Sequence, residues 1–246
     1  MKTIQAPNGQ ILEIAKTLLS KGDSNAKLAK NFLESYILYL NPFNQNSLGK
    51  NLCPKASIEC TKLCLYTSGR GVMAPVQAGR TRRTEFYLQD RNGFLNMLMN
   101  ELARLDKKAK RQNSKIAVRL NGTSDLDFIA ILKNRFNVDV LEAFTSLEFY
   151  DYTKILGKVK KYAGTRYKLT FSRSEDNEAD CIEALKYGPI SVVFDESKPF
   201  PETYLGAPVI NGDEADDIML TLEAGKILGL KAKGKAKKSA SKFVVK

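Results

Sequence analysis

From residue 116 onward, short runs of β-branched and aromatic residues alternate with longer stretches whose apolar positions recur every three or four residues. The short runs predict strands at Ile116 to Asn121, Ser146 to Asp151, Tyr167 to Ser172, Ile190 to Asp195, Pro208 to Asn211 and Ile227 to Lys231. The longer stretches predict helices at Leu126 to Phe136, Thr153 to Tyr162, Asn177 to Tyr187 and Glu214 to Ala224. Upstream, Thr81 to Lys110 carries Phe86, Phe94, Leu95, Leu98, Leu102 and Leu105 at helical steps, with Gly93 as a point of interruption. An earlier strand is expected at Tyr36 to Leu40, closed by Asn41-Pro42, and residues 8 to 34 read as a helical lead-in.

This order places strands in parallel with helices between them, so the chain is expected to be α/β. Seven strands point to a partial or closed β/α, TIM-like barrel with mostly parallel strands, a doubly wound open sheet being the competing topology. The expected organisation is one domain over 1–234, with a cysteine loop at 51–71, followed by a lysine-rich tail over 235–246.

Nearly every predicted strand ends in chemically capable residues. Arg119, Asn121, Ser124 and Asp125 follow or close one strand; Asp151, Tyr152 and Lys154 another; Ser172 and Arg173 a third; and Asp213 and Glu214 a later one. In β/α barrels the carboxyl ends of the strands share one rim, which makes these residues the candidate pocket. Taken singly, an Asp, Asn or Ser after a strand reads more simply as a helix N-cap.

The sequence contains no histidine, which excludes Ser-His and Cys-His nucleophile pairs and every His-containing metal site. Of four cysteines, Cys53, Cys60 and Cys64 fall in the loop after the first predicted strand with the spacing C-x6-C-x3-C. Too sparse for a disulfide framework, they favour metal ligation in a reducing compartment. If residues 59 to 66 are helical, Cys60 and Cys64 lie one turn apart on one face, and Cys53 can fold back towards them. Three such thiolates suit a 4Fe-4S cluster. Zinc is the alternative, although it lacks the usual C-x2-C knuckle here. Cys181, at helical spacing with Ile182 and Leu185, reads as a buried structural thiol.

Charge changes this picture only at one end. The net charge is +12, but residues 231 to 246 hold seven lysines and no acid, which leaves the preceding 230 residues at +5. That tail, with Arg70, Arg80, Arg82 and Arg83, is the basis for an alternative nucleic-acid-binding reading. Against it stands the plainer reading of a solubilising tail and a solvated helix face. No stretch has the unbroken apolar length of a membrane span, so a soluble cytoplasmic protein without a membrane partner is expected.

Several segments together resemble the gene product 88 family of phage-associated proteins. They are Asn51-Leu52-Cys53-Pro54 with Cys60 and Cys64, Ser68-Gly69-Arg70-Gly71, Arg80 with Arg82-Arg83-Thr84, and Val118 through Asp125. The likeness continues through Tyr150 to Lys154, Thr170 to Glu175, Gly212-Asp213-Glu214 and Gly229 to Gly234. It implies a phage or prophage origin, hence the host cytoplasm, and no particular reaction. A more distant likeness is to radical S-adenosylmethionine enzymes, in which a partial β/α barrel carries a three-cysteine 4Fe-4S loop after the first strand. That superfamily spaces its cysteines C-x3-C-x2-C, and Asn121-Gly122-Thr123 only loosely matches the segment that holds the methionine amino group. The likeness therefore implies a fold and a cluster, with redox or radical-type chemistry, rather than S-adenosylmethionine binding. The candidate partners are a small molecule or a redox partner.

Overall fold

The computed structural model describes residues 3–5, 9, 11–22 and 31–246. Its centre is a ten-stranded, mostly parallel sheet. Seven strands run parallel in the spatial order β4 (Glu34–Leu38), β5 (Ile116–Arg119), β6 (Leu147–Thr153), β7 (Tyr167–Ser172), β8 (Ile190–Phe194), β11 (Ile227–Lys231) and β10 (Ala207–Asn211). Two short antiparallel strands, β3 (Leu19–Lys21) on β4 and β9 (Thr203–Tyr204) on β10, occupy the two edges.

Those edge strands decide the architecture. Closing the sheet would require β4 to pair with β10, but the free side of each is already taken by an antiparallel neighbour. Among the described residues no pairing joins the two edges, so the sheet stays open and the closed TIM-like barrel is not formed. The α/β class and the parallel order stand.

The helices follow the apolar periodicity closely where they bury a face. In the 81–110 stretch the pattern resolves into α2 (Ala74–Gln89) and α3 (Arg91–Arg111). Asp90 lies between them in a non-helical conformation, and its carboxylate accepts the Gly93 amide at 2.8 Å as an N-cap. A Cβ on Gly93 would collide with that carboxylate, which explains the glycine. Phe94, Leu98 and Leu102 of α3 are fully buried against Phe86, Tyr87, Phe128 and the strands. Beyond them come α4 (Phe128–Phe136), α5 (Val140–Ala143), α6 (Leu156–Tyr162) and α7 (Glu178–Ala184).

Two expected helices are not formed among the described residues. Instead of a helical lead-in, β1 (Thr3–Gln5) and β2 (Ile11–Glu13) form an antiparallel pair, and β3 follows. The Leu18 and Leu19 amides donate to the two carboxylate oxygens of buried Glu101 at 2.8 and 2.9 Å, a tertiary interaction that local propensity does not anticipate. Residues 8, 10 and 23–30 of the predicted lead-in lie outside the described residues. The 214–224 helix reduces to one turn at Asp217–Leu220. There Asn31 Oδ1 accepts the Asp216 and Asp217 amides, and the Asp217 carboxylate accepts the Leu33 amide at 2.9 Å. These acids are spent on anchoring the turn to the sheet.

The lysine-rich end returns to the sheet. Strand β12 (Val244–Val245) pairs in parallel with Val193 and Phe194 of β8. It does so where β7, whose register with β8 ends at Ser172 and Ser191, no longer follows. The last strand thus fills the splay between β7 and β8 at their carboxyl ends.

Candidate functional site

The loop between β4 and α2 carries the three clustered cysteines across the carboxyl edge of the sheet, and four separate contacts hold it there. At its start, the Asp125 amide donates to Leu52 O at 2.8 Å, and the Cys53 thiol points to Thr123 O at 3.5 Å. At its middle lies α1 (Ile58–Lys62), capped by Ser57, whose Oγ accepts the Cys60 amide at 3.1 Å. Glu175, just beyond β7, accepts the Ser57 hydroxyl at 2.7 Å and the Glu59 amide at 3.0 Å, so one carboxylate closes the amino end of α1.

Further on, Arg80 of α2 is almost buried between the rings of Tyr39 and Tyr66, 5.3 and 5.1 Å from their centroids, and donates to Tyr66 O at 3.2 Å. Finally, Gly234 in the left-handed region packs directly on Ser68, where a Cβ would collide.

Among the described residues none of the four cysteines forms a disulfide, and the three of the loop are half-buried. Burial pushes the Cys53 thiol up to about 12, with Cys64, Asp125 and Cys60 adding to the shift. Burial raises Cys60 as well, against Lys154, and raises Cys64 against Arg80 and Lys154. The three thiols therefore lie within reach of one another's charge, beside one lysine and one arginine. Among the described residues, however, no group of three Cys, Asp or Glu side chains is close enough to hold a metal ion. The donor set suits a thiophilic metal, but the sulfurs are not gathered at ligand distances.

Of the residues expected at the rim, Asp125 and Lys154 join this site. Asp125 accepts from Thr153 Oγ1 at 2.8 Å, the Lys154 amide at 2.8 Å and the buried Lys158 ammonium at 3.3 Å. Lys154 Nζ lies 3.4 Å from Ser172 O and over the Phe243 ring.

The others are structural. Asp151, fully buried, accepts the Asn121 amide and side chain and the Tyr167 hydroxyl, and its carboxyl is raised by burial against Lys158 and Arg119. Asn121 in turn accepts from Ser124 Oγ and the Leu126 amide, which knots the loop after β5. Arg119 reaches away from the cysteines to Asp216 at 3.2 Å and stacks over Tyr152 at 4.7 Å. Although burial alone would lower it, Asp216 and the neighbouring tyrosines hold the guanidinium firmly protonated.

Ser172 pairs with Ser191 Oγ, and Arg173 binds the Lys242 and Phe243 carbonyls. Asp213 is consumed by the Lys231 amide and Lys233, and Glu214 by Asn211. Cys181 is buried in α7, 3.5 Å from Asn177 Oδ1 and apart from the cluster.

Lys158 and the sandwiched role of Arg80 escaped the sequence reading, and Glu175, part of the polar run after a strand, was not singled out as a site residue. Glu175 follows a strand like the others, and the only local signal for its partner is Ser57, three residues before the capped Cys60 amide. Arg80 and Arg83 also correct the arginine-cluster expectation. Arg80 is sealed between tyrosines, and Arg83 is held by Ser20 Oγ at 3.0 Å and Thr17 O, so neither faces a nucleic acid.

An open, mostly parallel α/β sheet that carries a clamped three-cysteine loop on its carboxyl edge defines the class of this protein. No curated protein and no solved structure matches it. The chain belongs to the Gene product 88 family, a phage protein family of unknown function whose profile matches residues 17–246. No helix among the described residues is long and apolar enough to cross a membrane.

Proposed function

We propose that Cys53, Cys60 and Cys64 are the ligands of a 4Fe-4S cluster, and that this Gene product 88 chain is a cluster-binding protein of the infected host's cytoplasm. The observation that carries the reading is the placement of three thiols, each within reach of the others' charge, over the carboxyl ends of parallel strands. Gathering the sulfurs requires α1, which has no buried residue, to shift towards Cys53, and the Glu175 and Ser57 contacts at its amino end must yield as it does so. Lys154 and Arg80 would offset the negative charge of a thiolate cluster, and Asp125 and Glu175 are carboxylates whose charge reaches the thiols. Such a cluster supplies one-electron transfer when bound. Because burial holds the thiols protonated, loading must release protons and is favoured as pH rises.

Purification without oxygen, followed by a visible spectrum and assays of iron, sulfide and zinc on one sample, tests the reading. A broad absorption near about 400 nm with comparable iron and sulfide is expected. It should vanish in the Cys53→Ser/Cys60→Ser/Cys64→Ser variant. Colourless wild-type protein with stoichiometric zinc would replace the cluster by a zinc site on the same thiols, and protein without metal would end the proposal. Perturbation of the cluster's paramagnetic signal by S-adenosylmethionine would extend the reading to radical chemistry.

A further inference from the structure

The lysine-rich segment is a folded element. Ala232, Ala236 and Val244 are buried in a small cluster with Leu63 of the cysteine loop and Val193 of β8. Arg173 clamps the Lys242 and Phe243 carbonyls, and β12 adds to the sheet. A tail that served only solubility would need none of this.

The folding sorts the lysines into two sets. Lys233, Lys237 and Lys246 are neutralised by Asp213, Glu196 and Asp195, and Lys231 Nζ is held by the Asp195 and Lys198 carbonyls. Lys235, Lys238 and Lys242 are exposed and have no ion-pair partner among the described residues. Lys235 and Lys238 belong to the 3-10 turn Gly234–Lys238, in which residues three apart project from the same edge. Arg70, also exposed, lies two residues beyond Ser68, on which Gly234 packs.

We propose that this segment is a nucleic-acid docking surface, with Lys235, Lys238 and Lys242 contacting backbone phosphates beside the cysteine loop. The apolar side chains Ala232, Ala236 and Val244 all point inward, so the segment offers no insertion face to a lipid bilayer, and a polyphosphate backbone is the partner its charge fits. With no reading helix and no base-edge contacts to offer, the surface binds without sequence preference.

The test uses full-length protein and fluorescence anisotropy with a labelled DNA duplex of mixed sequence, titrated across salt. Lys235→Glu/Lys238→Glu/Lys242→Glu is expected to weaken binding at least tenfold. In the corresponding Lys→Gln triple, which also serves if the charge-reversed protein fails to fold, the slope of log affinity against log salt is expected to flatten by about 2.7, since three phosphate contacts contribute about 0.9 each. The control Lys107→Glu/Arg111→Glu/Lys168→Glu changes net charge equally at exposed positions elsewhere and should bind nearly as wild type does.

Equal weakening by both triples, no duplex retention by wild type at low salt, or binding to phosphatidylserine vesicles in place of DNA would each overturn the proposal. Because the triple cysteine variant is expected to bind DNA normally, failure of this surface is distinguishable from failure of the cluster reading.

Discussion

Replacing Asp125 by alanine tests whether the ion pair beneath the cysteine loop is structural. Asp125 and Lys158 are both buried, at 8% and 3% exposure, and Nζ lies 3.3 Å from Oδ1. The ammonium also donates to Leu126 O at 3.0 Å and lies over the Tyr167 ring within reach of the Asp151 charge, so losing the Asp125 carboxylate leaves a buried cation without its ion-pair partner. Removing one partner of a buried pair costs about 3–5 kcal/mol. For a domain of this size each kcal/mol moves the melting temperature by about 2–4 °C, so a fall of roughly 6–20 °C is expected. The assay is urea unfolding at pH 7 of wild type, Asp125→Ala, Lys158→Met and the double variant.

The double variant removes the stranded charge along with its cause and should recover about half of the loss in Asp125→Ala. A loss below about 1 kcal/mol, or strictly additive single variants, would refute the reasoning. The same substitution should lower the Cys53 and Cys60 thiol pKa, because Asp125 contributes to raising both.

Cys53 and Cys181, each pushed to about 12 mainly by burial, should alkylate with iodoacetamide at pH 8 in metal-free protein at least about 100-fold more slowly than an ordinary cysteine; mass spectrometry showing free-thiol rates would contradict this. Glu175→Ala removes the cap on α1, and a loss of about 1 kcal/mol should appear as roughly fivefold faster hydrogen exchange at the Glu59 and Cys60 amides. The Glu175 carboxyl lies below its ordinary 4.5, since burial, which raises it, is outweighed by the Glu59 amide and Ser57. The contribution of the wild-type cap is therefore fully present above that value and lost as pH falls through the lowered one, and exchange that stayed pH-independent relative to the variant would contradict the assignment. Thr170 is fully buried with a hydroxyl that has no hydrogen-bond partner among the described residues, so Thr170→Val should be neutral or stabilising by about 1 kcal/mol, and a clear loss of stability would show that the hydroxyl is used.

Where a segment's structure follows from burial of its own periodic face, it was legible in the sequence. Strands β7 and β11 fall at the expected residues, α3 follows its leucine stripe, and the three cysteines stand in the loop after the first parallel strand. Where a polar residue's role depends on a partner far along the chain, it was not. Glu101 binds the Leu18 and Leu19 amides where β3 begins, Asn31 and Arg119 tie down Asp216, and Glu175 caps a helix 116 residues away.

The rim residues illustrate the limit. Polar residues after a strand look alike in sequence, but Asp125, Lys154 and Glu175 come to the cysteine loop. Arg119, Asp151, Asp213 and Glu214 are spent on holding loops and the 212–220 segment in place.

By itself the sequence determined the α/β class, the parallel order and the identity of the thiols, because these depend on local periodicity and residue chemistry. Tertiary structure decided that the sheet stays open, that Arg80 is a clamp instead of a phosphate contact, and that the lysine end is a fixed surface. The physical reason is common to all three: edge pairing, burial between two rings and the seating of β12 on β8 are long-range pairings, and no local pattern records them.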